Sequence, residues 1–248
     1  EQTGEVKSPE RLLPLIRQRM LWQLLEDLAW RAQVGRSLNR LGIAALDWPL
    51  APVEQAAAHW AEVADNTLGY RIDRAAAVGL MVGLMQHLVA LGAVGLEDLR
   101  YYRTTSKKFH SSHLPFYAAR LGDNSAKPIY PAIGKGDSCE PLIHSNNVQS
   151  WYERWLACLN PDALVDKKQR EQVIVAALDS LCATGLVQQE HNERGVTLWA
   201  LNPEQLAITC NIQAVECPGY RPLHVPAGHA ALWLGLPLLN ASDPRRVY

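Results

Sequence analysis

Aromatic and basic side chains alternate in one polar stretch of this sequence, which contains Tyr102, Arg103, Lys107 and Lys108. Cations neutralise phosphate groups, and aromatic rings stack on unpaired bases. This composition therefore favours contact with single-stranded nucleic acid. The alternative is a loop whose aromatic side chains pack against the core.

A second group of cations, Lys167, Lys168 and Arg170, lies where the sequence predicts the start of a helix. The N-terminus of a helix and the cations themselves both favour phosphate. The body of this helix offers few side chains that read base edges. We therefore expect contact with the phosphate backbone rather than with bases. A purely architectural helix is the alternative.

The charge of the chain is unevenly distributed, although the net charge is only −1. Residues 100–170 hold eleven Lys or Arg against six Asp or Glu, so the rest of the chain is acidic. A basic middle segment can attract a polyanion even when the average charge is near zero. A solvated surface with no ligand is the alternative.

Four possible metal ligands lie near the C-terminal end: Cys210, Cys217, His224 and His229. Structural zinc sites usually pair their ligands two to four residues apart, and these residues are more widely spaced. We therefore expect no metal site. The five cysteines are an odd number without tight disulfide spacing, which indicates a reducing compartment and a cytoplasmic protein.

No complete catalytic motif is present in the sequence. Residues 133–137 contain two glycines and a lysine, but without the spacing of a phosphate-binding loop. Neither a metalloprotease motif nor a nucleophile elbow occurs. We therefore expect no catalytic residue and no cofactor in this chain. No apolar run is long enough to span a membrane, so we expect no membrane partner.

The N-terminal part of the sequence predicts a helical domain over residues 1–99. Apolar residues recur at helical spacing from Leu12 to Leu28, from Pro52 to about Ala64 and from Ile72 to about Leu91. Residues 100–147 then contain four prolines and three glycines among polar residues, and we expect an irregular segment.

Residues 148–207 predict a C-terminal winged-helix module of α+β type. Helical periodicity runs over residues 151–159 and again over 169–184, with Gly185 as the C-terminal cap. Two short strands follow, at 186–190 and 196–201. We expect residues 208–248 to form a small irregular module. We expect a mainly α fold overall.

Three segments of the chain resemble a known family. Residues 24–42 resemble an E-L-x-x-R-x-x-x-G-R-[ST]-L-E-x-x-G segment of large bacterial superfamily II DEAD/DEAH-box helicases of antiphage defence, the Druantia type among them. Residues 150–155 and 185–203 look like the region that follows the motor core in that family. There a winged helix precedes a small cysteine-rich module.

The resemblance implies an accessory DNA-handling region of an ATP-dependent motor. It implies that ATP and Mg²⁺ bind elsewhere in the parent protein, because no helicase motif lies in these 248 residues. The implied partners are DNA, the motor domains and a second defence protein. The family's cysteine pair is reduced here to Cys217, with Tyr220 in the second place, which makes the last module a degenerate zinc ribbon.

A second hypothesis is a winged-helix scaffold that docks a partner protein and never contacts DNA. Its expected sign is an exposed apolar patch at residues 233–238. A stand-alone transcriptional regulator fits less well, because the predicted helix at 169–184 has few base-reading side chains. The first residue is Glu1 rather than Met, so we also expect the chain to be a piece of a longer protein.

Overall fold

The computed structural model describes residues 38–39, 41–69, 71–91, 93–95, 129–134, 139–144, 149–157, 166–191, 195–215 and 223–230. The predicted helix over residues 12–28 lies outside these ranges. The helices of the described part are α1 (Leu50–Leu68), α2 (Arg74–Leu91), α3 (Trp151–Ala157) and α4 (Lys167–Ala183). Each agrees with a helix predicted from the sequence, to within a few residues at its ends.

Eight short strands accompany the helices in the described part of the chain. In chain order they are β1 (Ala45–Asp47), β2 (Tyr130–Ala132), β3 (Cys139–Pro141), β4 (Val187–His191), β5 (Thr197–Leu201), β6 (Ala207–Thr209), β7 (Ile212–Val215) and β8 (Leu223–Pro226). One-turn 3₁₀ helices follow β5 and β8, at Pro203–Gln205 and Ala227–His229.

The amphipathic helix α1 shows how the sequence dictates its own boundaries. Pro49 precedes it in an extended conformation, and its buried residues recur at helical spacing from Val53 to Trp60 and Ala64. Gly69 ends the helix in a left-handed conformation at φ 68° and donates its backbone N–H to Asp65 O. A side chain at this position would be strained, which explains the stop.

The central sheet has four strands in the order β3–β2–β5–β4. The antiparallel hairpin β4–β5 is the predicted strand pair. Strand β2 joins it next to β5 through the Ala132–Leu198 pair, and β3 runs parallel to β2. The last residue of β5, Leu201, also bridges to Val94 after α2.

The chain is therefore mixed α/β, and the prediction of a mainly α fold is corrected. Strands β2 and β3 lie within the segment 100–147, which the sequence predicts to be irregular. Each contains a proline, Pro131 or Pro141, and proline normally argues against a strand. Their three-residue length gives no alternating pattern, so sequence reasoning passed over them.

Two further strand pairs lie apart from the central sheet. Strand β1 pairs with β6, and β7 pairs with β8, both antiparallel. The turn before β1 approaches β8 closely: a Cβ built on Gly42 would lie 2.9 Å from His224 Nε2. Gly42 has φ 68°, so both its backbone and its surroundings favour glycine.

One hydrophobic core joins the predicted helical domain to the predicted C-terminal module. Trp60 on α1 donates its Nε1–H to Val173 O on α4 at 3.0 Å. Trp155 on α3 donates its Nε1–H to Leu80 O on α2 at 2.8 Å. Both indoles are almost fully buried. The two regions thus pack as one body, while the domain boundaries themselves stay predictions.

Candidate nucleic-acid interface

The first turn of α4 carries the basic residues that the sequence predicts for phosphate contact. Lys167 and Lys168 are both exposed there. Asp166 caps the helix, because its carboxylate accepts a hydrogen bond from Lys168 N at 3.1 Å. The two lysines therefore project from a well-formed helix N-terminus, beside one carboxylate that partly offsets their charge.

Arg170, the third predicted cation of this group, is engaged by the protein itself. Its Nε lies 3.5 Å from Oε1 of Glu153 on α3, and the arginine side chain is 21% exposed. The guanidinium thus neutralises a buried carboxylate. In this position Arg170 ties α4 to α3 and is poorly placed to contact phosphate.

Glu153 is fixed by a reciprocal cap at the start of α3. Its Oε2 accepts from Ser150 N at 2.8 Å, and Ser150 Oγ accepts from Glu153 N at 3.0 Å. The Ser-x-x-Glu spacing of this capping box is visible in the sequence, and sequence reasoning missed it. Ser150 also donates its hydroxyl to Leu142 O. The backbone N–H of His144 donates to Glu153 Oε2 at 3.4 Å. The cap therefore joins α3 to the chain just after β3.

Helix α1 lies along the body of α4. Besides the Trp60 bond to Val173 O, His59 Nδ1 lies 2.8 Å from Ser180 Oγ, which itself donates to Ala176 O at 2.7 Å. Ser180 is buried. The side of α4 that faces α1 is therefore closed to a ligand.

The exposed side of α4 has little capacity to read bases. Gln169, Gln172 and Asp179 are its exposed polar side chains beyond the two lysines. Asp179 Oδ1 accepts from Trp199 Nε1 at 3.3 Å. Burial raises the pKa of Asp179, and the hydrogen bond from Trp199 offsets only part of this increase. A carboxylate here repels phosphate, so the first turn is the part of α4 best suited to phosphate contact.

The aromatic and basic group of the sequence analysis, Tyr102, Arg103, Lys107 and Lys108, lies outside the described residues. The same is true of the apolar stretch 233–238 expected for a protein-docking surface. In the ranges that the structure does describe, carboxylates outnumber Lys and Arg. Of the Lys and Arg residues in the described part of residues 100–170, Lys167 and Lys168 are the exposed ones.

A buried polar cluster joins α2, β3 and α3, and sequence reasoning missed it. His87 Nε2 lies 2.8 Å from Oε2 of Glu140, and Tyr152 donates its hydroxyl to the same oxygen at 3.1 Å. The His87 ring stacks on the Trp151 ring, with the ring centroids 3.7 Å apart. Burial raises the pKa of Tyr152 well above its usual value, and Glu140 adds to the effect. No spacing in the sequence indicates this cluster, because its members are up to 65 residues apart.

The four possible metal ligands do not assemble in the part of the chain that the structure covers. Cys210 is exposed at the turn between β6 and β7, whereas His229 is buried after β8. Cys217 lies outside the described ranges. No group of three or more His, Cys, Asp or Glu suited to a metal ion occurs among the described residues.

Comparisons with known proteins add no relative to this picture. No protein-family model matches the chain, and neither the curated proteins nor the solved structures contain a match. Within the described ranges, none of the helices combines the length and apolar character needed to cross a lipid bilayer.

Proposed function

We propose that this chain is an accessory DNA-handling region of an ATP-dependent superfamily II helicase or translocase in bacterial antiphage defence. In this proposal a winged-helix module contacts the phosphate backbone without sequence preference and buttresses the motor. ATP and Mg²⁺ bind in the motor domains of the parent protein. The resemblance of residues 24–42, 150–155 and 185–203 to that helicase family supports the proposal.

The order of elements around the central sheet supports the winged-helix assignment. A helix (α2), two strands (β2 and β3), two helices (α3 and α4) and a hairpin (β4–β5) follow one another in the described part. The first strand pairs with the last, which gives the sheet order β2–β5–β4. In this arrangement α4 holds the place of the helix that docks on DNA in helix-turn-helix proteins.

The exposed pair Lys167 and Lys168 on the first turn of α4 is the single observation that carries the DNA contact. The helix body is closed by α1 on one side and carries Asp179 on the other. Two adjacent cations at a helix N-terminus suit phosphate oxygens and carry no base-specific information. The proposal is therefore restricted to contact with the phosphate backbone.

Fluorescence anisotropy with labelled single-stranded DNA at several salt concentrations tests the proposal. Replacement of both residues, Lys167→Ala with Lys168→Ala, should weaken binding and lower the slope of log affinity against log salt by roughly 0.7 per lost phosphate contact. Replacement of both by Arg should preserve the slope. Arg71→Ala removes an exposed cation from the α1–α2 connection and serves as the matched control.

A protein-docking scaffold is the second candidate function. The exposed apolar side chains Leu41, Ile43 and Ile208, on β6 and in the turn before β1, favour it. In that case the double lysine variant binds a partner as the wild type does, and the wild type has no measurable affinity for DNA even at low salt. Such a result would overturn the DNA proposal.

A further inference from the structure

The hairpin β7–β8 is a small unit attached to the main body. Among the described residues, Val215, Val225 and Ala230 form a buried apolar cluster of their own, separate from the large core. A hairpin held by a separate cluster of this kind can open locally without unfolding the rest of the protein. The contacts that attach it to the body therefore decide whether it stays in place.

Three contacts near β1 connect this unit to the main body. Asn39 donates its side-chain N–H to His224 O on β8. His229 Nε2, in the 3₁₀ turn after β8, lies 3.2 Å from Asp47 Oδ1 at the end of β1. The His229 ring also packs on the Trp48 ring, with centroids 5.3 Å apart. Two of the three contacts use the imidazole of His229.

The hydrogen bonding of His229 determines where a second proton would go. Since the Asp47 carboxylate can only accept, the proton of the neutral imidazole is on Nε2. Nδ1 is buried and has no hydrogen-bond partner among the described residues. Protonation would therefore place a positive charge on a buried ring whose Nδ1 makes no hydrogen bond to a described residue, which is costly.

Few other charges of the described residues can compensate for this proton. Of the strands around the imidazole, β1 contributes Asp47, and β8 contributes His224, whose Nδ1 is also buried and without a partner in the described part. Strands β6 and β7 contain no titratable residue. Burial lowers the pKa of His229, and the Asp47 charge and the Trp48 backbone oppose this only in part.

We propose that the Asp47–His229 pair is an acid-sensitive latch, whose protonation at His229 releases the β7–β8 hairpin from β1 while the central sheet stays folded. The proposal goes beyond the DNA-handling function and does not depend on it. The latched state holds the neutral imidazole, whereas the released state exposes it to water. Acid therefore favours the released state by mass action.

The sign of the effect follows from the lowered pKa of His229. Once released, the imidazole regains an ordinary pKa of about 6.5 and binds a proton more readily than the latched one. The latch is therefore fully effective above about pH 6.5. It weakens as the pH falls from there toward the lower pKa of the latched imidazole. A single proton can change the latching equilibrium by up to about tenfold per pH unit within this window.

Amide hydrogen exchange, corrected for the intrinsic rate at each pH, tests the latch on the intact chain. Between pH 7 and pH 5, protection of the β7–β8 amides should fall by up to about tenfold per pH unit. Protection of the β4–β5 amides should stay constant and serves as the internal standard for global folding. The ring pKa of His229, measured by NMR, should lie below about 6.5.

Three variants separate the latch from a general effect of acid. His229→Phe keeps an aromatic ring and should abolish the pH dependence of β7–β8 protection. Asp47→Asn keeps an acceptor and removes the charge, which lowers the pKa of the latched imidazole further. The loss of protection should therefore begin at the same pH as in the wild type and continue to lower pH. His191→Phe, at an exposed histidine on β4, should behave as the wild type.

Two results would overturn the proposal. One is constant β7–β8 protection from pH 7 to pH 5 in the wild type. The other is a pH dependence that persists in His229→Phe while the β4–β5 amides stay protected. A variant that loses β4–β5 protection has unfolded globally, and in that event the NMR titration of the wild-type ring decides: a pKa at or above about 6.5 contradicts the latch.

Discussion

Arg170 Nε lies 3.5 Å from Glu153 Oε1, so the first turns of α3 and α4 are joined by an ion pair. The carboxylate of this pair is nearly buried, and its other oxygen accepts from the backbone of Ser150. An arginine that the sequence assigns to phosphate contact thus contributes to helix packing. Lys167 and Lys168, in the same turn of α4, are exposed.

The first prediction separates these two roles. Arg170→Ala should lower the free energy of unfolding by about 1–3 kcal/mol, because it leaves the Glu153 carboxylate buried without its cation. Lys168→Ala should change stability by less than about 0.5 kcal/mol, as exposed substitutions usually do. Urea denaturation followed by tryptophan fluorescence measures both. In the DNA assay the order of the two variants should reverse: Lys168→Ala should lower the slope of log affinity against log salt, and Arg170→Ala should leave it unchanged. Equal losses of stability in the two variants would contradict the assignment of Arg170 to helix packing.

The second prediction concerns the bond between Trp60 and Val173. Trp60→Phe keeps a large apolar ring but removes the N–H donor, and we expect a loss of about 1–3 kcal/mol in the free energy of unfolding. Because α1 and α4 share a core, near-UV and far-UV circular dichroism should report one coincident transition. Two separate transitions would show instead that the N-terminal helices and the C-terminal module are independent domains.

The third prediction follows from the raised pKa of Asp179. A folded-state pKa above the unfolded value means that the folded protein binds the proton more tightly, so ionisation at neutral pH costs stability. Asp179→Asn keeps the acceptor for Trp199 Nε1 and removes that cost. We expect a gain of less than about 1 kcal/mol at pH 7, since the side chain is partly exposed.

This gain should shrink as the pH falls through the raised pKa of Asp179 and disappear at about pH 3, below the ordinary Asp pKa of about 3.9. Thermal unfolding of both proteins at the two pH values measures the difference. Glu171→Gln removes the same charge from the same helix and is the matched control. A gain that is equal at both pH values would mean that burial of the Asp179 charge is not its cause.

The fourth prediction compares two free cysteines. Burial raises the pKa of Cys182 to about 12, with a smaller contribution from the Asp179 charge, whereas Cys210 is exposed. Only the thiolate reacts with alkylating reagents, so Cys182 should be labelled more than about 100-fold more slowly than Cys210 at pH 8. Peptide mass spectrometry after timed iodoacetamide exposure gives both rates. Comparable rates would place Cys182 in a more open setting.

The helices and the β4–β5 hairpin were predictable because each carries a local signal. Trp60 and Val53 recur at helical spacing, and Gly185 marks the end of α4 with a left-handed backbone. The strands that complete the central sheet carry no such signal. Pro131 in β2 opposes a strand assignment, and the pairing of Ala132 with Leu198 depends on tertiary contact.

The candidate site was predictable only in its residue types. The sequence shows the charge of Arg170, but it cannot show that Glu153 lies against it, because that contact depends on the packing of α3 on α4. The same reason hides the pair of Asp47 and His229, which are 182 residues apart. By contrast, the capping box of Ser150 and Glu153 is a local pattern that the sequence does display.

The bond from Trp60 to Val173 spans 113 residues, and this separation has a consequence for biosynthesis. Ribosomes add about 5–20 residues per second, so the part of the apolar face of α1 that packs on α4 stays uncovered for roughly 6–23 s before α4 is made. Nascent chains with such a face attract chaperones and are prone to aggregate. We therefore expect the yield of soluble protein to depend on the rate of translation between α2 and α4.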